Sequence, residues 1–367
     1  MKILSIETSC DETSASVLTF TNSSVPIVLS TVTATSLEMH KTTGGIIPEN
    51  AARAQVEYIL PVIIEALLKA RSQDWKNYSY AEAFAFLANE IDLIAVTQGP
   101  GLIGSLLVGI ETAKTLSYIY NKPLVPVNHL LAHLYANWLV ADSVLHVESS
   151  TTRHTQRAIS FPFIGLIVSG GHTDLLYFQD HGAYTWLGGT RDDAAGEAFD
   201  KIGRILELPY PAGPEIEKRA KLATAKKLRF SRALKHSEDF DFSFSGLKSE
   251  AGRYIQKQKN VSDELQAEIS YAVQDAITDV LVHKTLKAAE RYNCKTILLG
   301  GGVSANEYLR SEFQSSIINN KLSISLFCPE KKFTTDNASM IGAYAAFNPT
   351  AVSWDAIHAS PELYFNN

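Results

Sequence analysis

Two histidines four residues apart lie in the stretch VNHLLAHLYANW, residues 127–138. On a helix, His129 and His133 share one face, where both imidazoles reach a single metal ion. An isolated HxxxH pair is more often two ordinary polar residues, so the spacing permits a metal site without proving one. A third ligand would come from elsewhere, and Asp336 in TTDNASMIG is the candidate, although taken alone Asp336 is more typical of a helix N-cap.

Three short turns rich in small or polar residues are candidates for binding an anion. TSCDETS (8–14), IVSGGHT (167–173) and GGGVSAN (300–306) each follow an apolar run. Glycine turns let backbone N–H groups approach a phosphate closely. The two glycine turns match neither a Walker A loop nor GxGxxG, and a single one is more often only a turn. Together, the three turns favour a nucleotide.

Two further stretches combine acidic or basic residues with helix-like patterns. RDDAAGEAFDKIGRILELPYPAGP (191–214) has acids near a helix start, which are commonly capping residues, but Asp200 could instead hydrogen-bond a ribose hydroxyl. The alternating aromatics of FDFSFSGLK (240–248) are typical of core packing. The segment Lys218–Lys235 carries eight Lys or Arg residues and no acid. A solvated face is the usual explanation, and a contact with a phosphate backbone is the alternative.

The chain contains two similar strand-turn-strand segments, KILSIETSCDETSASVLTF and FIGLIVSGGHTDLLYF, which predict a duplicated fold with a cleft between the halves. Strands alternate with predicted helices at 105–120, 193–206 and 262–291, which indicates the α/β class. We expect an N-terminal lobe at 1–140, a Ser/Thr-rich loop at 141–160 and a C-terminal lobe at 161–345. Residues 346–367 are expected to pack back on the N-terminal lobe.

Composition limits the class of protein. The 367 residues are 46% apolar and 20% charged, as in an ordinary globular protein, and exceed the usual size of a single core. The net charge of −6 excludes a uniformly basic nucleic-acid surface. Three scattered cysteines argue against a disulfide framework. Because the sequence has neither a secretory signal pattern nor a membrane span, we expect a cytoplasmic protein.

The order of these motifs resembles one family, the universal tRNA threonylcarbamoyladenosine transferases of the bacterial TsaD type. The resemblance covers residues 6 to about 345, nearly the whole chain. The resemblance implies an actin/Hsp70-like (ASKHA) nucleotide-binding fold. The matching motifs are IETSCDETS, GGIIPE, QGPGLIGSLLVG, NHLLAHLYA, LIVSGGHTDLL, DDAAGEAFDK, YPAGP, DFSFSGLK, GGGVSAN and TTDNASMIG.

The resemblance also implies a reaction and the residues that carry it out. Family members transfer the threonylcarbamoyl group from threonylcarbamoyl-AMP to N6 of the adenosine adjoining the anticodon in tRNAs that read ANN codons. By motif match, His129, His133 and Asp336 hold one divalent metal ion per subunit, iron or zinc. The positions that match nucleotide contacts for this adenylate, or for ATP or AMP, are Ile167, Val168, Ser169, Gly170, Gly171, Asp200, Gly213 and Asn306. Asp11, Glu12 and His172 are candidates for orienting or proton-transfer roles.

Partners follow from the same resemblance. We expect tRNA as substrate, with either a TsaB-like paralogue and a TsaE-like ATPase or a homodimer, and no membrane. Two positions depart from the family pattern: Gln55 stands where histidine is frequent, and Ala212 where glycine is usual. The 141–160 loop is also longer than in compact members.

Three rival functions remain open from the residues alone. A metallopeptidase needs a glutamate after the first histidine, where this chain has Leu130. A sugar or acetate kinase of the same fold would use ATP with magnesium, and the histidine pair would be surplus. A non-enzymatic partner of the same fold would be expected to lose the metal ligands, and all three candidate ligands are present.

Overall fold

The computed structural model describes residues 1–21, 25–36, 47–141, 159–258 and 260–365. The predicted 141–160 loop therefore lies almost entirely outside the described residues. The chain divides into two compact units. The first contains Met1–Arg157 together with Thr335–Asn367, and the second contains Ala158–Thr334.

The first unit is built on a six-stranded sheet of order β5-β4-β1-β2-β3-β6. The first three strands are antiparallel neighbours, whereas β4 pairs parallel with β1 and β5 pairs parallel with β4. The strands are β1 Lys2–Glu7, β2 Glu12–Thr19, β3 Ile27–Thr35, β4 Leu93–Gly99, β5 Leu124–Asn128 and β6 Val140–Ala141.

The second unit repeats this plan in a five-stranded sheet of order β11-β10-β7-β8-β9. Again the first three strands are antiparallel neighbours. The fourth strand, β10, then pairs parallel with β7, and β11 pairs parallel with β10. The predicted duplication of an α/β fold is thereby confirmed. The strands are β7 Phe163–Val168, β8 Thr173–Asp180, β9 Ala183–Gly189, β10 Thr296–Gly300 and β11 Ser325–Phe327.

Helices cover the sheets, and the strands between them are buried along nearly their whole length, which explains their continuous apolar sequences. None of the described helices is long and apolar enough to cross a membrane. In chain order the helices are α1 Pro48–Arg71, α2 Tyr80–Glu90, α3 Ile103–Tyr120, α4 His129–Tyr135, α5 Ala195–Ile205, α6 Ala212–Ala220, α7 Ser245–Gln256, α8 Asp263–Arg291, α9 Glu307–Asn319 and α10 Ala338–Phe347.

Helix α10 belongs to the first unit, where two buried serines of the sheet form hydrogen bonds with its first residue. Ser5 Oγ donates to the carbonyl oxygen of Ala338 at 2.6 Å, and Ser14 Oγ accepts from the N–H of Ala338 at 3.0 Å. Ser14 thereby satisfies a helix N-terminal N–H that burial would leave unpaired, and Ser5 adds a second bond to the same residue. The docking fixes the loop just before α10, which carries Asp336.

The second lobe is shorter than the sequence boundary at residue 345 indicated. The chain rejoins the first unit at Thr335, because α10 packs against β1 and β2 through the contacts above. The final segment also lies on the first unit: Val352 bridges Leu124, and the N–H of Ser360 donates to the carbonyl of Gln98 at 2.9 Å. The three predicted helices are present with their first residues shifted by one or two positions.

Candidate metal centre and glycine turns

The two histidines of α4 meet an aspartate from a distant loop. Ligand atoms of His129, His133 and Asp336 all lie within 4.8 Å of one another. Asp336 Oδ1 is 3.5 Å from Nε2 of His129 and 3.3 Å from Nε2 of His133. Both histidines are buried, whereas 24% of the Asp336 side chain is exposed. The cluster is therefore accessible from the side of the aspartate.

Local sequence explains how the three side chains arrive there. Strand β5 ends at Asn128, whose Oδ1 accepts from the N–H groups of Leu130 and Leu131 and so starts α4 immediately. One helical turn then separates the histidines. The reading of Asp336 as an N-cap is wrong, because Asn337 caps α10 by accepting from Met340 N at 3.1 Å. The carboxylate of Asp336 is thereby left for the histidines.

A buried carboxylate at the end of β1 contacts the other side of the first histidine. Glu7 Oε2 lies 3.0 Å from Nδ1 of His129, and Ser9 Oγ lies 3.2 Å from the same nitrogen. Thr97 Oγ1 donates to Glu7 Oε2 at 2.5 Å. Such a carboxylate holds Nδ1–H and points the Nε2 lone pair at a metal. Sequence analysis missed Glu7, although an acid inside an apolar strand needs a partner when it is buried.

Electrostatics matches this arrangement. Burial opposes charge on His129, but Glu7 and Asp336 raise its pKa well above the usual value. Burial lowers the pKa of His133. For both Glu7 and Asp336 burial acts to raise the pKa, yet the histidines hold it below its usual range. These shifts favour ionised carboxylates at Glu7 and Asp336. They favour a charged imidazole at His129 and a neutral one at His133.

The residues fit a metal ion. Among the described residues, Nδ1 of the buried His133 has no hydrogen-bond partner, and its Nε2 faces only Asp336, at 3.3 Å and without the alignment of a hydrogen bond. Unmatched buried nitrogens are costly unless another group satisfies them. Two imidazoles and one carboxylate are a donor set used by zinc and by non-haem iron, and they leave coordination positions open. A structural zinc site would normally provide four protein ligands.

Asp11 and Glu12 lie where the turn after β1 enters β2, in the same unit as the metal cluster. The backbone carbonyl of Asp11 accepts from Ser36 N and Oγ. Burial and the negative charges of Asp336 and Asp11 raise the pKa of Glu12 to about 10. The raised pKa favours the protonated form of Glu12, which can donate a hydrogen bond.

The corresponding turn of the second unit is formed by Ser169, Gly170, Gly171 and His172, where Ser169 N donates to the carbonyl of His172 at 2.9 Å. A Cβ at Gly170 or Gly171 would meet nothing within 4 Å. Packing in the described residues therefore does not require these glycines, and the space above the turn is free for a ligand. His172 follows Gly171 directly in the chain.

Other elements of the second unit converge on the same turn. Gly301 lies in the left-handed region at φ +88°, and its Cβ would lie 2.5 Å from the carbonyl oxygen of Val168. Helix α5 begins against the turn, because Gly196 N donates to the carbonyl of Ser169 at 3.1 Å. The two glycine motifs, distant in sequence, are thus neighbours. Ile167 and Val168 are buried at the end of β7.

Two of the predicted nucleotide contacts also have structural roles. Asp200 Oδ1 accepts from Ala212 N at 2.7 Å at the start of α6, and burial raises the pKa of Asp200 despite this bond and that to the Gly213 N–H. Asn306 Oδ1 caps α9 through Leu309 N at 2.8 Å, and its Nδ2 donates to Gln274 at 2.9 Å. These bonds still leave Asn306 one free amide hydrogen.

The predicted site residues thus form two groups, one in each unit. Asp11, Glu12, His129, His133 and Asp336 lie in the first, and the nucleotide candidates with His172 lie in the second. The repeated sheet plan and the glycine turns define a protein of the actin/Hsp70-like nucleotide-binding class that carries a candidate metal centre.

Comparison with known proteins gives the family. The model of the family described as "TsaD: tRNA N6-adenosine threonylcarbamoyltransferase" matches residues 27–343. A relative of that name from Moorella thermoacetica is 41% identical over 99% of this chain and 97% of its own length. The namesake from Bacillus subtilis is 42% identical over 94% of this chain and 89% of its own. The chain belongs to the TsaD family of tRNA N6-adenosine threonylcarbamoyltransferases.

A solved structure supports the fold independently. HypF from T. kodakarensis matches with a TM-score of 0.55 at 14% identity, over 95% of this chain and 47% of that protein. At this identity the likeness concerns the fold alone. The two curated relatives reported above carry the transferase name and not that of a peptidase or a small-molecule kinase.

Proposed function

We propose that this chain, as a tRNA N6-adenosine threonylcarbamoyltransferase, takes the threonylcarbamoyl group from threonylcarbamoyl-AMP. The acceptor is N6 of the adenosine adjoining the anticodon in tRNAs that read ANN codons. The observation that carries the proposal is the buried cluster of His129, His133 and Asp336 in a chain that matches the family over its length. A target base in a loop is reached without breaking a duplex.

The metal centre is the first part of the proposed site. His129, His133 and Asp336 would hold one iron or zinc ion per subunit, and Glu7 would keep His129 in the tautomer that offers Nε2. When bound, the ion supplies Lewis-acid stabilisation of developing negative charge.

The glycine turns are the second part. In the segment from Ile167 to Gly171, the N–H groups of Gly170 and Gly171 would bind the adenylate phosphate, and Asp200, Gly213 and Asn306 would contact its nucleoside. The open space at Gly170 and Gly171 supports this assignment. ATP or AMP would fit the same contacts. Binding of this kind orients the carbamoyl carbon for attack by N6. The attack itself needs no strong base, because AMP is a good leaving group.

Three side chains are proposed for orientation and proton transfer. Glu12, neutral because its pKa is about 10, would donate a hydrogen bond to a polar substrate group. Asp11 is its acidic neighbour in the same turn, and His172 would act from the glycine turn of the second unit. Each assignment predicts a loss of turnover larger than the loss of substrate affinity.

Only part of the basic segment Lys218–Lys235 is suited to the predicted tRNA contact. Arg232 donates to Asp275 at 2.6 Å, and Lys235 contacts Asp279 at 2.7 Å, so acids of α8 neutralise this end. Within the part of the chain that the structure describes, Lys218 and Lys227 are exposed and have no acidic partner at ion-pair distance. We propose that these two residues contact tRNA phosphates.

Reversing both charges, Lys218→Glu with Lys227→Glu, should weaken tRNA binding and reduce its salt slope by roughly 1–2 units. The matched control, Arg53→Glu with Lys76→Glu, makes the same change of net charge on the first unit. If both doubles behave alike in filter-binding titrations across salt concentrations, the segment is only a solvated face.

Partners are the least determined part of the proposal. Helices α1 and α3 approach closely, since a Cβ at Gly104 would lie 3.1 Å from that of Ala52. Beside this crossing, Val56, Leu60, Ile103 and Leu107 are 44–64% exposed. We propose that this apolar face binds a protein of the same fold, a TsaB-like paralogue assisted by a TsaE-like ATPase, or a second copy of the chain. A cytoplasmic location would match the tRNA substrate.

The direct test is transfer of labelled threonylcarbamoyl from threonylcarbamoyl-AMP to an unmodified ANN-reading tRNA, with candidate partners supplied. We expect transfer by the wild type and none by folded His129→Ala plus His133→Ala. Failure of the wild type under these conditions, with ATP consumed on a sugar, would reject the proposal.

A further inference from the structure

One buried amide grips the turn that lies next to the metal cluster. Gln55 of α1 is 1% exposed. Its Nε2 donates to the carbonyl oxygens of Cys10 at 3.0 Å and Glu12 at 2.9 Å, and lies 3.5 Å from that of Thr8. An amide has two hydrogens, so the two shorter contacts are full bonds and the third is weaker. The turn is thereby tied to α1 at two carbonyls, those of Cys10 and Glu12.

The start of α3 grips the same turn from another side. Leu102 N donates to the carbonyl of Ser9 at 2.8 Å, and Ser105 Oγ donates to that of Cys10 at 3.1 Å. Glu7 and Ser9, at the beginning of this turn, are the two side chains that touch Nδ1 of His129. The position of the turn therefore affects the two side chains that contact Nδ1 of His129.

The amide at this position carries a cost in stability as well as its two bonds. Within the described part of the chain, Gln55 Oε1 is buried with no hydrogen-bond partner, and an unsatisfied buried acceptor lowers stability. An unbranched apolar side chain of similar length would avoid that penalty and fill the same space. What it would lose is the hold on the carbonyls of Cys10 and Glu12.

We propose that Gln55 is a positioning residue that fixes the Thr8–Glu12 turn and, through Glu7 and Ser9, orients His129 for metal binding. The inference rests on the proposed metal centre. Without the amide the turn gains freedom, Glu7 and Ser9 move relative to α4, and His129 must be ordered when the ion binds. The ordering then weakens the affinity for the ion.

The test uses Gln55→Met in the full chain, because methionine keeps the length and removes both donors. The control is Val62→Ala, which makes a cavity under the same helix at a buried residue outside the turn contacts. Zn²⁺ affinity of the metal-free protein is measured by competition with a chromophoric chelator, and the Co²⁺ absorption spectrum reports ligand geometry. We expect binding weakened by about three- to fivefold for Gln55→Met, less than the tenfold or more typical of a side chain that contacts a metal ligand directly, and unchanged affinity for Val62→Ala.

A second measurement does not depend on metal. Cys10 lies in the turn, so a loosened turn should raise its alkylation rate in the metal-free protein several-fold. Cys328, in the second unit, serves as the internal reference within each sample. Gln55→His keeps one N–H donor and should lie between the wild type and Gln55→Met in both measurements.

The possible results separate cleanly. Gln55→Met that is destabilised like Val62→Ala, yet keeps wild-type Zn²⁺ affinity and Cys10 rate, overturns the inference. Should Gln55→Met fail to fold, Gln55→His takes its place, and wild-type Zn²⁺ affinity together with a wild-type Cys10 alkylation rate in that variant overturns the inference. A wild type that binds neither Zn²⁺ nor Co²⁺ rejects the metal centre itself, and the alkylation rates then decide whether Gln55 holds the turn.

Discussion

The first hairpin turns of the two units differ in how much protein surrounds them. In the first unit, α3 lies directly on the turn: a Cβ at Gly101 would be 2.5 Å from the Ser9 carbonyl oxygen, and one at Gly109 would be 2.3 Å from Thr8 Oγ1. In the second unit, a Cβ on either Gly170 or Gly171 would meet no atom within 4 Å. The same turn is closed in one unit and open in the other.

The difference fits the two kinds of binding proposed above. Close contacts with α1 and α3 make the first turn a rigid support for Glu7, whose carboxylate contacts His129, a candidate metal ligand 122 residues away. The second turn is uncovered at Gly170 and Gly171, so a ligand could approach the backbone there. Rigidity suits coordination of an ion, whereas an uncovered backbone suits a phosphate.

The largest effect should come from removing the ligands that the closed turn supports. His129→Ala with His133→Ala should lower Zn²⁺ affinity by more than about 10³-fold, since losing an outer partner alone typically costs 10–100-fold. Transfer to tRNA should disappear with it. His236→Ala, an exposed histidine of the second unit, is the control and should retain both. Metal binding by the double variant, measured by chelator competition, would show that the ligands lie elsewhere.

Glycine substitutions compare the two turns directly. Gly170→Ala should weaken AMP binding about tenfold, or about 1.4 kcal/mol, because the new methyl fills ligand space, and should leave unfolding unchanged. Gly101→Ala should do the opposite, since its methyl strikes the Ser9 carbonyl: the free energy of unfolding should fall by about 1–3 kcal/mol.

Calorimetry and denaturant titration measure the two quantities. Equal destabilisation by the two alanines would mean that the second turn is as tightly covered as the first.

The contact of Glu7 with His129 can be weakened without changing the size of the Glu7 side chain. Glu7→Gln removes the negative charge facing His129 and should lower Zn²⁺ affinity about tenfold, at the lower end for outer partners. Glu57→Gln, on the exposed side of α1, is the matched control and should have no effect. Equal Zn²⁺ affinity of the two variants would remove Glu7 from the proposed site.

The fold could be predicted from the sequence because its signals are local. Strand-turn-strand segments at the head of each half, glycine turns and helix patterns gave the duplicated α/β fold. The end of the second lobe was misplaced because α10 looks like any helix after a strand. Its return to the first unit depends on Ser5 and Ser14, whose role becomes visible only when the sheet is formed.

The site was predicted unevenly for the same reason. The spacing of His129 and His133 is a local signal, and family motifs supplied Asp336. The contact between Glu7 and His129 joins residues 122 positions apart, and the contacts of Gln55 with the turn span up to 47 positions. No local sequence pattern indicates either pair. That these residues bind metal and nucleotide stays a prediction until the measurements above are made.

A pH-dependent effect concerns the proton on Glu12. Its folded pKa of about 10 lies above the ordinary value of 4.5, so between these limits folding takes up a proton and stability falls as pH rises, by about 1 kcal/mol for each pH unit. Glu12→Gln has no such proton and should melt several degrees higher than the wild type at pH 8, at about 2–4 °C for each kcal/mol. At pH 4 both forms are neutral and the difference should vanish. Metal-free protein must be used, because an ion would neutralise the Asp336 charge that raises this pKa. An equal difference at both pH values would mean that Glu12 is ionised in the folded protein and cannot donate a hydrogen bond to a substrate.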